Sequence, residues 1–298
     1  LEEDTAIARF YEDDGARLEL KQGVLRATVA KQPAGRTFAI VTPHGEARVI
    51  GTAFLITVGP DATRLAVEEG KVRLNGLDVS AGHLAVATPT APAAVRPITS
   101  LLAHWKLDEG RGRVAFDASG LGNDAVLKDQ ADWAPGRSGG GVECAKGGIY
   151  VPRFHAPGPA PGDGFTVAMW VYHEKLDAWQ DVYFSMPGLA FVREGNLEIG
   201  RVRVAVRTDP PVVFGMDAVV RPRQWMHLAL VWDGALARFY RNGRLVGSAK
   251  AKGTVLPPRS MTVNAGQEVE GRIDDVRLYR RALAPQEITQ VMSGGEVR

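Results

Sequence analysis

The chain has 298 residues, of which 45% are hydrophobic and 23% are charged, a composition typical of globular proteins. Its 36 basic and 34 acidic side chains leave a formal net charge of only +2, and no lysine or arginine stripe indicates nucleic-acid binding. A single cysteine, Cys144, excludes a disulfide within the chain, and no apolar run reaches the ~18 residues of a membrane helix.

The first third of the chain predicts one β-strand after another. β-branched and often alternating segments occupy residues 25–30, 37–42, 47–58, 64–74 and 83–87. Glycine-containing turns separate these segments at short intervals, which favours a stacked or wrapped β-sheet over alternating strands and helices. Residues 2–11 are the only stretch of this region in which we expect a helix.

A proline-containing segment follows. Residues 87–100 include three prolines and several small side chains, which disfavour both a helix and a central strand. We therefore predict a short, stiff linker at residues 89–100, between a first domain at residues 1–88 and a second at residues 101–298.

The second domain again predicts strands, at residues 165–172, 227–234, 237–248 and 272–283. Residues 165–172 are apolar on both faces, which is typical of a central strand in a two-sheet sandwich. Asn242–Gly243 predicts a type I′ hairpin turn. One helix is expected at the end of the chain, because Pro285 suits a first turn and Ile288, Val291 and Met292 share one face.

Six segments of the second domain carry a resemblance to a known family. They are AHWKLDEG (103–110), FDASGLGNDA (116–125), GFTVAMWVY (164–172), QWMHLALVWDG (224–234), FYRNGRLVG (239–247) and GRIDDVRLYRRALAPQEI (271–288). Their order resembles that of laminin-G-like, concanavalin-type jelly rolls over nearly the whole domain. The resemblance implies two antiparallel sheets around one core, binding of carbohydrate or protein, and often a structural calcium ion.

The first domain carries a second resemblance, in LKQGVLRATVAK (20–31), FAIVTPHGEARVIGTAFLITV (38–58) and VEEGKVRL (67–74). Its most informative residues are Val49, Gly51, Thr52 and Phe54. The domain resembles the FecR family, the periplasmic part of bacterial sigma-factor regulators. The family's cytoplasmic anti-sigma segment and membrane helix have no counterpart in this sequence. Because the sequence begins at Leu1 without a methionine, we expect any targeting or membrane segment to lie upstream.

The acidic residues do not form the pattern of a glycoside hydrolase, which needs two carboxylates about 5–10 Å apart across the scissile bond. The nearest approach is EVEGRIDDV (268–276), where a glycine follows Glu268 and Glu270. Asp274 and Asp275 are adjacent, so a regular strand would direct them to opposite faces. No histidine lies in a known catalytic motif. We therefore expect no enzymatic activity.

Calcium is a possible cofactor of the second domain. A glycine-rich turn offers the hard oxygens of Asp117 and Asn123, which Ca²⁺ prefers. Asp274 shares a strand face with Val276 and Leu278, and a buried carboxylate needs a cation or hydrogen-bond donors. The resemblance implies an ion between these segments. The alternative is that Asp117 and Asn123 form turns and Asp274 pairs with an arginine.

Four residues are candidates for ligand binding: Trp179, Tyr183, Arg193 and Arg207. The two aromatic residues lie in a polar segment of the kind with which lectins contact sugars. The two arginines belong to a basic run on strand-like sequence, where a shared face would suit an acidic glycan. The alternatives are a tryptophan at the edge of the core and a solvated sheet face.

These observations predict an all-β chain: a FecR-like β-sheet domain, then an antiparallel two-sheet jelly roll with a short C-terminal helix. The function that we expect is non-catalytic sensing or binding by the extracytoplasmic part of a FecR-type envelope protein. Its partner would be a glycan or an envelope protein, and it would reach a membrane only through a segment outside this chain. The alternatives are a surface adhesion or carbohydrate-binding module without signalling and, less favoured, a relative of glycoside hydrolases.

Overall fold

The computed structural model describes residues 6–12, 16–31, 36–49, 51–90, 93–144, 147–152, 154, 164–174, 180–186, 189–194, 201–206, 212–216, 221–251, 261–263 and 271–297. The chain divides into two compact units, Leu1–Thr99 and Ser100–Arg298. The described part of the chain contains no helix that is long and apolar enough to cross a membrane.

The first unit contains one sheet. Its strands are β1 (Ala6–Glu12), β2 (Ala16–Val29), β3 (Phe38–Thr42), β4 (Gly45–Val49), β5 (Thr52–Val58), β6 (Thr63–Glu69), β7 (Lys71–Leu74), β8 (Leu77–Ser80), β9 (His83–Ala87) and β10 (Ala94–Pro97). Their order is β10-β9-β6-β5-β2-β3-β4-β7-β8, and β1 also pairs with β2. The long strand β2 runs parallel to β3 in its first half and antiparallel to β5 in its second, so it joins the two halves of the sheet.

Gly51 divides the predicted strand at residues 47–58 into β4 and β5. Its φ is +122°, and a Cβ at this position would lie 2.5 Å from the Cα of Lys31. No other residue fits such a backbone and such a contact without displacement. The glycine on which the FecR resemblance partly rests is therefore required by the close approach of two backbone segments.

One expectation for the first unit is wrong, and one predicted segment contains a strand that was not expected. The helix expected within residues 2–11 is absent from the described residues 6–12, which form β1 and pair antiparallel with β2. The predicted linker contains β10, which pairs with β9 at the edge of the sheet. Pro97 ends β10, in agreement with the rule that proline is tolerated on edge strands. In both places tertiary pairing outweighs local propensity.

The described residues of the second unit form two further sheets and one helix. Its strands are β11 (Leu101–Trp105), β12 (Val114–Ala115), β13 (Ala125–Asp129), β14 (Asp132–Pro135), β15 (Gly140–Glu143), β16 (Gly147–Val151), β17 (Phe165–His173), β18 (Gln180–Met186), β19 (Leu189–Glu194), β20 (Arg201–Val206), β21 (Val212–Met216), β22 (Met226–Trp232), β23 (Leu236–Arg241), β24 (Arg244–Lys250), β25 (Met261–Val263) and β26 (Gly271–Tyr279), followed by α1 (Pro285–Met292). One sheet has the order β14-β15-β26-β17-β22-β23-β24, with β11 also on β26. The other has the order β12-β13-β16-β25-β18-β19-β20-β21.

The all-β prediction is confirmed. In this unit the predicted central strand and the predicted C-terminal helix are both present. β17 is central, because it pairs with β26 on one side and β22 on the other. Its residues Phe165, Val167 and Met169 are buried, and the Phe165 ring lies 5.6 Å from that of Trp232. Positive φ values of 49° at Asn242 and 75° at Gly243 fit the predicted type I′ turn.

The face of the β17 sheet on which α1 packs is called the outer face below. Ile288 and Val291 of α1 pack there in one buried cluster with Ala168 of β17 and Ala229 of β22. Alternate residues of a strand share a face, so Trp170 lies on the outer face as Ala168 does. Trp170 is only half-buried, which leaves part of the outer face open next to the helix.

The burial of Phe54 leads to a test of the first unit. Phe54 is fully buried in its core, whereas Leu77 of β8 is 41% exposed. We expect Phe54→Ala to lower the free energy of unfolding of this unit by about 3–5 kcal/mol, because it removes buried apolar surface and leaves a cavity. Leu77→Ala should change it by less than about 0.5 kcal/mol. Urea denaturation measures both values, and equal effects of the two variants would contradict the fold.

Candidate ligand-binding site

A β-bulge in β26 shapes the outer face beside α1. Ala168 of β17 pairs with Arg277, but Trp170, two residues on, pairs with Asp274, three residues back along β26. One extra residue is thus inserted in β26, and Asp275 has a positive φ of 46°. The expectation that Asp274 and Asp275 point to opposite faces is therefore wrong. So is the placement of Asp274 on the face of Val276 and Leu278, because the bulge shifts the alternation.

Both carboxylates line one open cleft with a volume of about 360 Å³. Its walls come from β11 and the residues after it, the turn between β14 and β15, the centres of β17 and β26, and the end of α1. The lining residues are His104, Lys106, Asp108, Arg137, Ser138, Trp170, Asp274, Asp275, Arg277, Met292, Ser293, Gly294 and Glu296.

Two side chains, those of Arg277 and His104, donate hydrogen bonds to the Asp275 carboxylate. Arg277 binds it with two nitrogens, Nε to Oδ1 at 2.9 Å and Nη2 to Oδ2 at 3.0 Å. His104 Nε2 donates to Oδ1 at 2.7 Å. Burial alone would raise the pKa of Asp275, but the bonds from His104 and Arg277 outweigh it and hold the pKa below its ordinary value. Asp275 is therefore a fixed negative charge in the wall of the cleft.

The pKa of Asp274 is shifted in the opposite direction, above its ordinary value. Its Oδ2 accepts hydrogen bonds from the backbone N–H groups of Arg137, at 2.7 Å, and Ser138, at 3.1 Å. Burial nevertheless raises its pKa to about 6, and the negative charge of Asp275 acts in the same direction. Two adjacent carboxyl groups in one cleft therefore protonate in different pH ranges.

Trp170 forms the aromatic part of the cleft. The guanidinium carbon of Arg137 lies 5.0 Å from its ring centroid. The ring of His227 meets it edge-on at 5.4 Å. Burial lowers the pKa of His227 to about 4, and its Nδ1 has no hydrogen-bond partner within the described residues. His227 is therefore a neutral neighbour of Trp170 on the adjacent strand at pH 7 and does not add charge to the cleft.

A second group of aromatic side chains lies on the same face, two residues further along β17. Tyr172, two residues after Trp170, has its ring centroid 5.5 Å from that of Trp225. The guanidinium carbon of Arg272, which is paired with Tyr172 in the strand register, lies 5.1 Å from the Tyr172 ring. The Tyr172 hydroxyl donates to Glu174 at 3.0 Å, and Arg223 binds the other oxygen of Glu174 at 3.1 Å.

The three predicted calcium ligands do not converge. Asp117 Oδ1 accepts from the backbone N–H groups of His104 and Ser119, and its Oδ2 accepts from the Ser119 hydroxyl and the Asn123 N–H. These four donors fill the acceptor positions of one carboxylate. Asn123 Nδ2 donates to the carbonyl of Leu102, and Asp274 bonds the turn at residues 137–138 instead. Within the described ranges no group of three or more His, Cys, Asp or Glu residues is arranged to hold a metal ion.

In this arrangement Asp117 and Asn123 act as turn-forming residues, the alternative raised from the sequence. The donor set does not fit a Ca²⁺ ion bound by Asp117, Asn123 and Asp274. Calcium binding by this unit is untested, and the hydrogen bonds at Asp117 weigh against it.

The four predicted ligand-binding residues cannot be placed in a site. Trp179 and Arg207 lie outside the described residues. Tyr183 belongs to β18 and Arg193 to β19, but their side chains are not among those described. Their part in binding therefore stays a prediction.

Of the residues that the structure brings together in the cleft, only Asp274 was selected from the sequence, and it was selected as a calcium ligand. Trp170 was taken as part of a strand buried on both faces, and His104 is 171 positions away from Asp275, to which it bonds. The adjacent acids in IDDV were the only available signal. Two consecutive carboxylates in a strand indicate either a sheet edge or a bulge, and a bulge often lies near a functional site.

Comparison with known families supports both resemblances. Residues 1–73 match the family described as FecR protein. Residues 146–289 match the family described as the Concanavalin A-like lectin/glucanases superfamily. No curated protein matches the chain.

Solved structures with the same fold are distant in sequence. The binding domain of botulinum neurotoxin DC in complex with rat synaptotagmin II has a TM-score of 0.54 and 11% identity, covering 65% of this chain and 51% of that one. The same toxin's binding domain in complex with SialylT has a TM-score of 0.53 and 11% identity, covering 65% of this chain and 51% of that one. Domain 4 of a GH43 extracellular arabinanase from Geobacillus stearothermophilus, in complex with arabinotriose, has a TM-score of 0.50 and 20% identity, covering 64% and 98%.

The chain spans about half the length of the neurotoxin binding domains, and at these identities the likeness concerns the fold alone. Each family match covers less than half of the chain. Residues 1–73 are similar to the FecR family, and residues 146–289 are similar to the concanavalin A-like lectin/glucanase superfamily.

Proposed function

We propose that the second unit is a glycan-binding module and that the cleft beside Trp170 is its binding site. The observation that carries this proposal is the convergence of a half-buried indole with His104, Asp275 and Arg277 in one open cleft. Ligand sites typically combine an aromatic or apolar wall with a few polar groups in fixed positions. A sugar ring has an apolar face for the indole and hydroxyl groups for the surrounding polar atoms.

The polar groups of the cleft are held in place before a ligand arrives. Arg277 Nη1 donates to the carbonyl of Gly295 at 2.6 Å, so its guanidinium connects Asp275 to the chain that follows α1. The Asp108 carboxylate accepts from the N–H of Gly140 at 2.7 Å. Ordering such groups in advance lowers the conformational cost of binding. Lys106 is exposed at the rim, where it can reach a bound molecule.

Two of the similar structures support a binding role by analogy. One was solved in complex with arabinotriose and another in complex with SialylT. The shared fold supports the proposal only by analogy, and the residues of the cleft supply the specific argument.

For the whole chain we propose an extracytoplasmic sensing or binding role in a FecR-type envelope protein, in the periplasm or at the cell surface. The FecR segment would contact an envelope partner, and the jelly roll would bind a glycan or a protein. A surface adhesion module without signalling is the alternative. A membrane helix with a cytoplasmic segment upstream of Leu1 in the parent protein would favour signalling, and a cleavable signal peptide alone would favour adhesion.

Hydrolysis is not part of the proposal. Asp274 and Asp275 have pKa values displaced in opposite directions, as in many acid–base pairs. The ionised partner, Asp275, is however engaged by both Arg277 and His104, which leaves it poorly placed as a nucleophile or base.

The glycan-binding proposal predicts the effect of removing the indole. Trp170→Ala should weaken retention on an array of neutral and acidic glycans by about tenfold or more, because central aromatic contacts contribute most of the binding energy. Phe116→Ala is the matched control, since Phe116 is an exposed aromatic residue of the same unit (60% exposed) outside the cleft. Circular dichroism would verify that both variants fold. Equal retention of the two variants would refute the assignment of the cleft.

The hydrogen bonds at Asp117 predict that calcium removal has no effect. Adding EDTA should leave the melting temperature of the chain unchanged, and elemental analysis should find no stoichiometric metal, because the Asp117 carboxylate is already saturated by protein donors. A melting temperature that falls with EDTA and recovers with added Ca²⁺ would establish the metal site that the family resemblance implies.

The raised pKa of Asp274 predicts a pH-dependent contribution to stability. Folding favours the protonated form of this carboxyl, so its contribution is present at low pH and decreases as pH rises from the ordinary pKa of 3.8 to about 6. In Asp274→Asn the amide oxygen can still accept the two backbone N–H bonds without carrying a charge. The melting temperature of the variant minus that of the parent should therefore increase between pH 4 and about pH 6 and then level off. A constant difference over this range would show that Asp274 is not perturbed.

A further inference from the structure

Two arginines on the outer face differ from most others in the described part of the chain. Arginines of this protein commonly bind a carboxylate, as in the pairs Arg26–Glu68 and Arg281–Glu287. No described carboxylate forms an ion pair with Arg137 or Arg272. Each of these two guanidinium groups instead lies over an aromatic ring.

The rings hold the two guanidinium groups in position. Arg137 lies 5.0 Å from the centroid of Trp170, and Arg272 lies 5.1 Å from that of Tyr172. Arg272 has one further bond, from Nη1 to the Pro135 carbonyl at 3.4 Å. A cation over a ring face is attracted by the ring quadrupole, and the remaining N–H groups stay available. A guanidinium fixed in this way presents the planar fork that binds a carboxylate through two hydrogen bonds.

The two arginine–aromatic pairs follow one another along the strands. Trp170 and Tyr172 are two residues apart on β17 and share the outer face, and the strand rise separates them by about 6.7 Å. Trp225 extends the aromatic surface beyond Tyr172, with its ring 5.5 Å away. Two cationic positions one strand repeat apart suit a ligand that carries successive negative charges.

The charges around the two rings are mixed. Beside Tyr172 the structure places Arg272, Arg223 and one carboxylate, Glu174, which is already bound by the Tyr172 hydroxyl and Arg223. In the cleft, the bidentate bond from Arg277 neutralises the charge of Asp275. The cleft also contains the carboxylates of Asp108, Asp274 and Glu296, so the attraction for an anion comes from the two ring-stacked guanidinium groups and not from a net positive charge.

We infer that the outer face binds a carboxylate-bearing polysaccharide, with successive acidic sugars seated on the arginine–aromatic pairs Arg137–Trp170 and Arg272–Tyr172. This inference rests on the proposed glycan-binding function and specifies its ligand class. The binding surface extends from the cleft beside α1 along β17 to Trp225.

The test measures binding of the full chain to polygalacturonate, a polymer of carboxylate-bearing sugars, with uncharged dextran and dextran sulfate as the other probes. Arg272→Gln and Arg137→Gln keep much of each side chain but remove its charge. Each should weaken polygalacturonate binding by about tenfold, and binding should fall with added salt. Arg244→Gln is the matched control, because Arg244 is an exposed arginine of the same unit on β24. It should bind as the parent does.

Each outcome bears on the inference. Loss in both ring-stacked variants but not in Arg244→Gln supports it. An equal loss in all three would show non-specific attraction of a polyanion and overturn it. Dextran sulfate binding as tightly as polygalacturonate would overturn the assignment to carboxylates. If only a neutral glycan binds, and Trp170→Ala weakens it, the ligand class is wrong while the proposed function stands. If neither neutral nor acidic glycans bind, both fail.

Discussion

The site depends on one local interaction, the bidentate bond between Asp275 and Arg277 across the bulge of β26. A regular strand would direct residue 275 to the opposite face from residue 274, into a core where an unpaired carboxylate is very costly. The extra residue in the bulge returns the Asp275 carboxylate to the outer face. There the guanidinium of Arg277 and the imidazole of His104 hold it. The charge of Asp275 is accommodated in this way in the wall of the cleft.

The bulge also connects the site to the rest of the fold. Arg277 bonds the carbonyl of Gly295 after α1, while Asp274 holds the turn at residues 137–138 through two backbone N–H groups. One pair of adjacent acids thus fixes both walls of the cleft. Burial raises the pKa of Asp274, with a further contribution from the charge of Asp275, so the two acids contribute to stability in different pH ranges. A binding surface with walls anchored in this way needs little rearrangement when a ligand arrives.

Much of the fold could be predicted from the sequence because its signals are local. Asn242–Gly243 specifies a turn through backbone conformation, and the apolar alternation of residues 165–172 specifies a central strand. The residues of the site, by contrast, are far apart in the sequence. His104 bonds Asp275 although the two residues are 171 positions apart in the sequence. The sequence IDDV does not indicate whether the strand is regular or contains a bulge. The predicted helix near the N-terminus failed for a related reason, since pairing with β2 outweighs the local pattern.

The central claim is that glycans bind on the outer face of the β17 sheet. The indole N–H signals of the six tryptophans offer a direct test by NMR, once each signal has been assigned by substitution. On titration with polygalacturonate, the account predicts that the signals of Trp170 and Trp225 shift. Those of Trp105 and Trp232, which are fully buried and bonded to backbone carbonyls, should not move. A shift of the Trp179 signal with that of Trp170 unchanged would contradict the account.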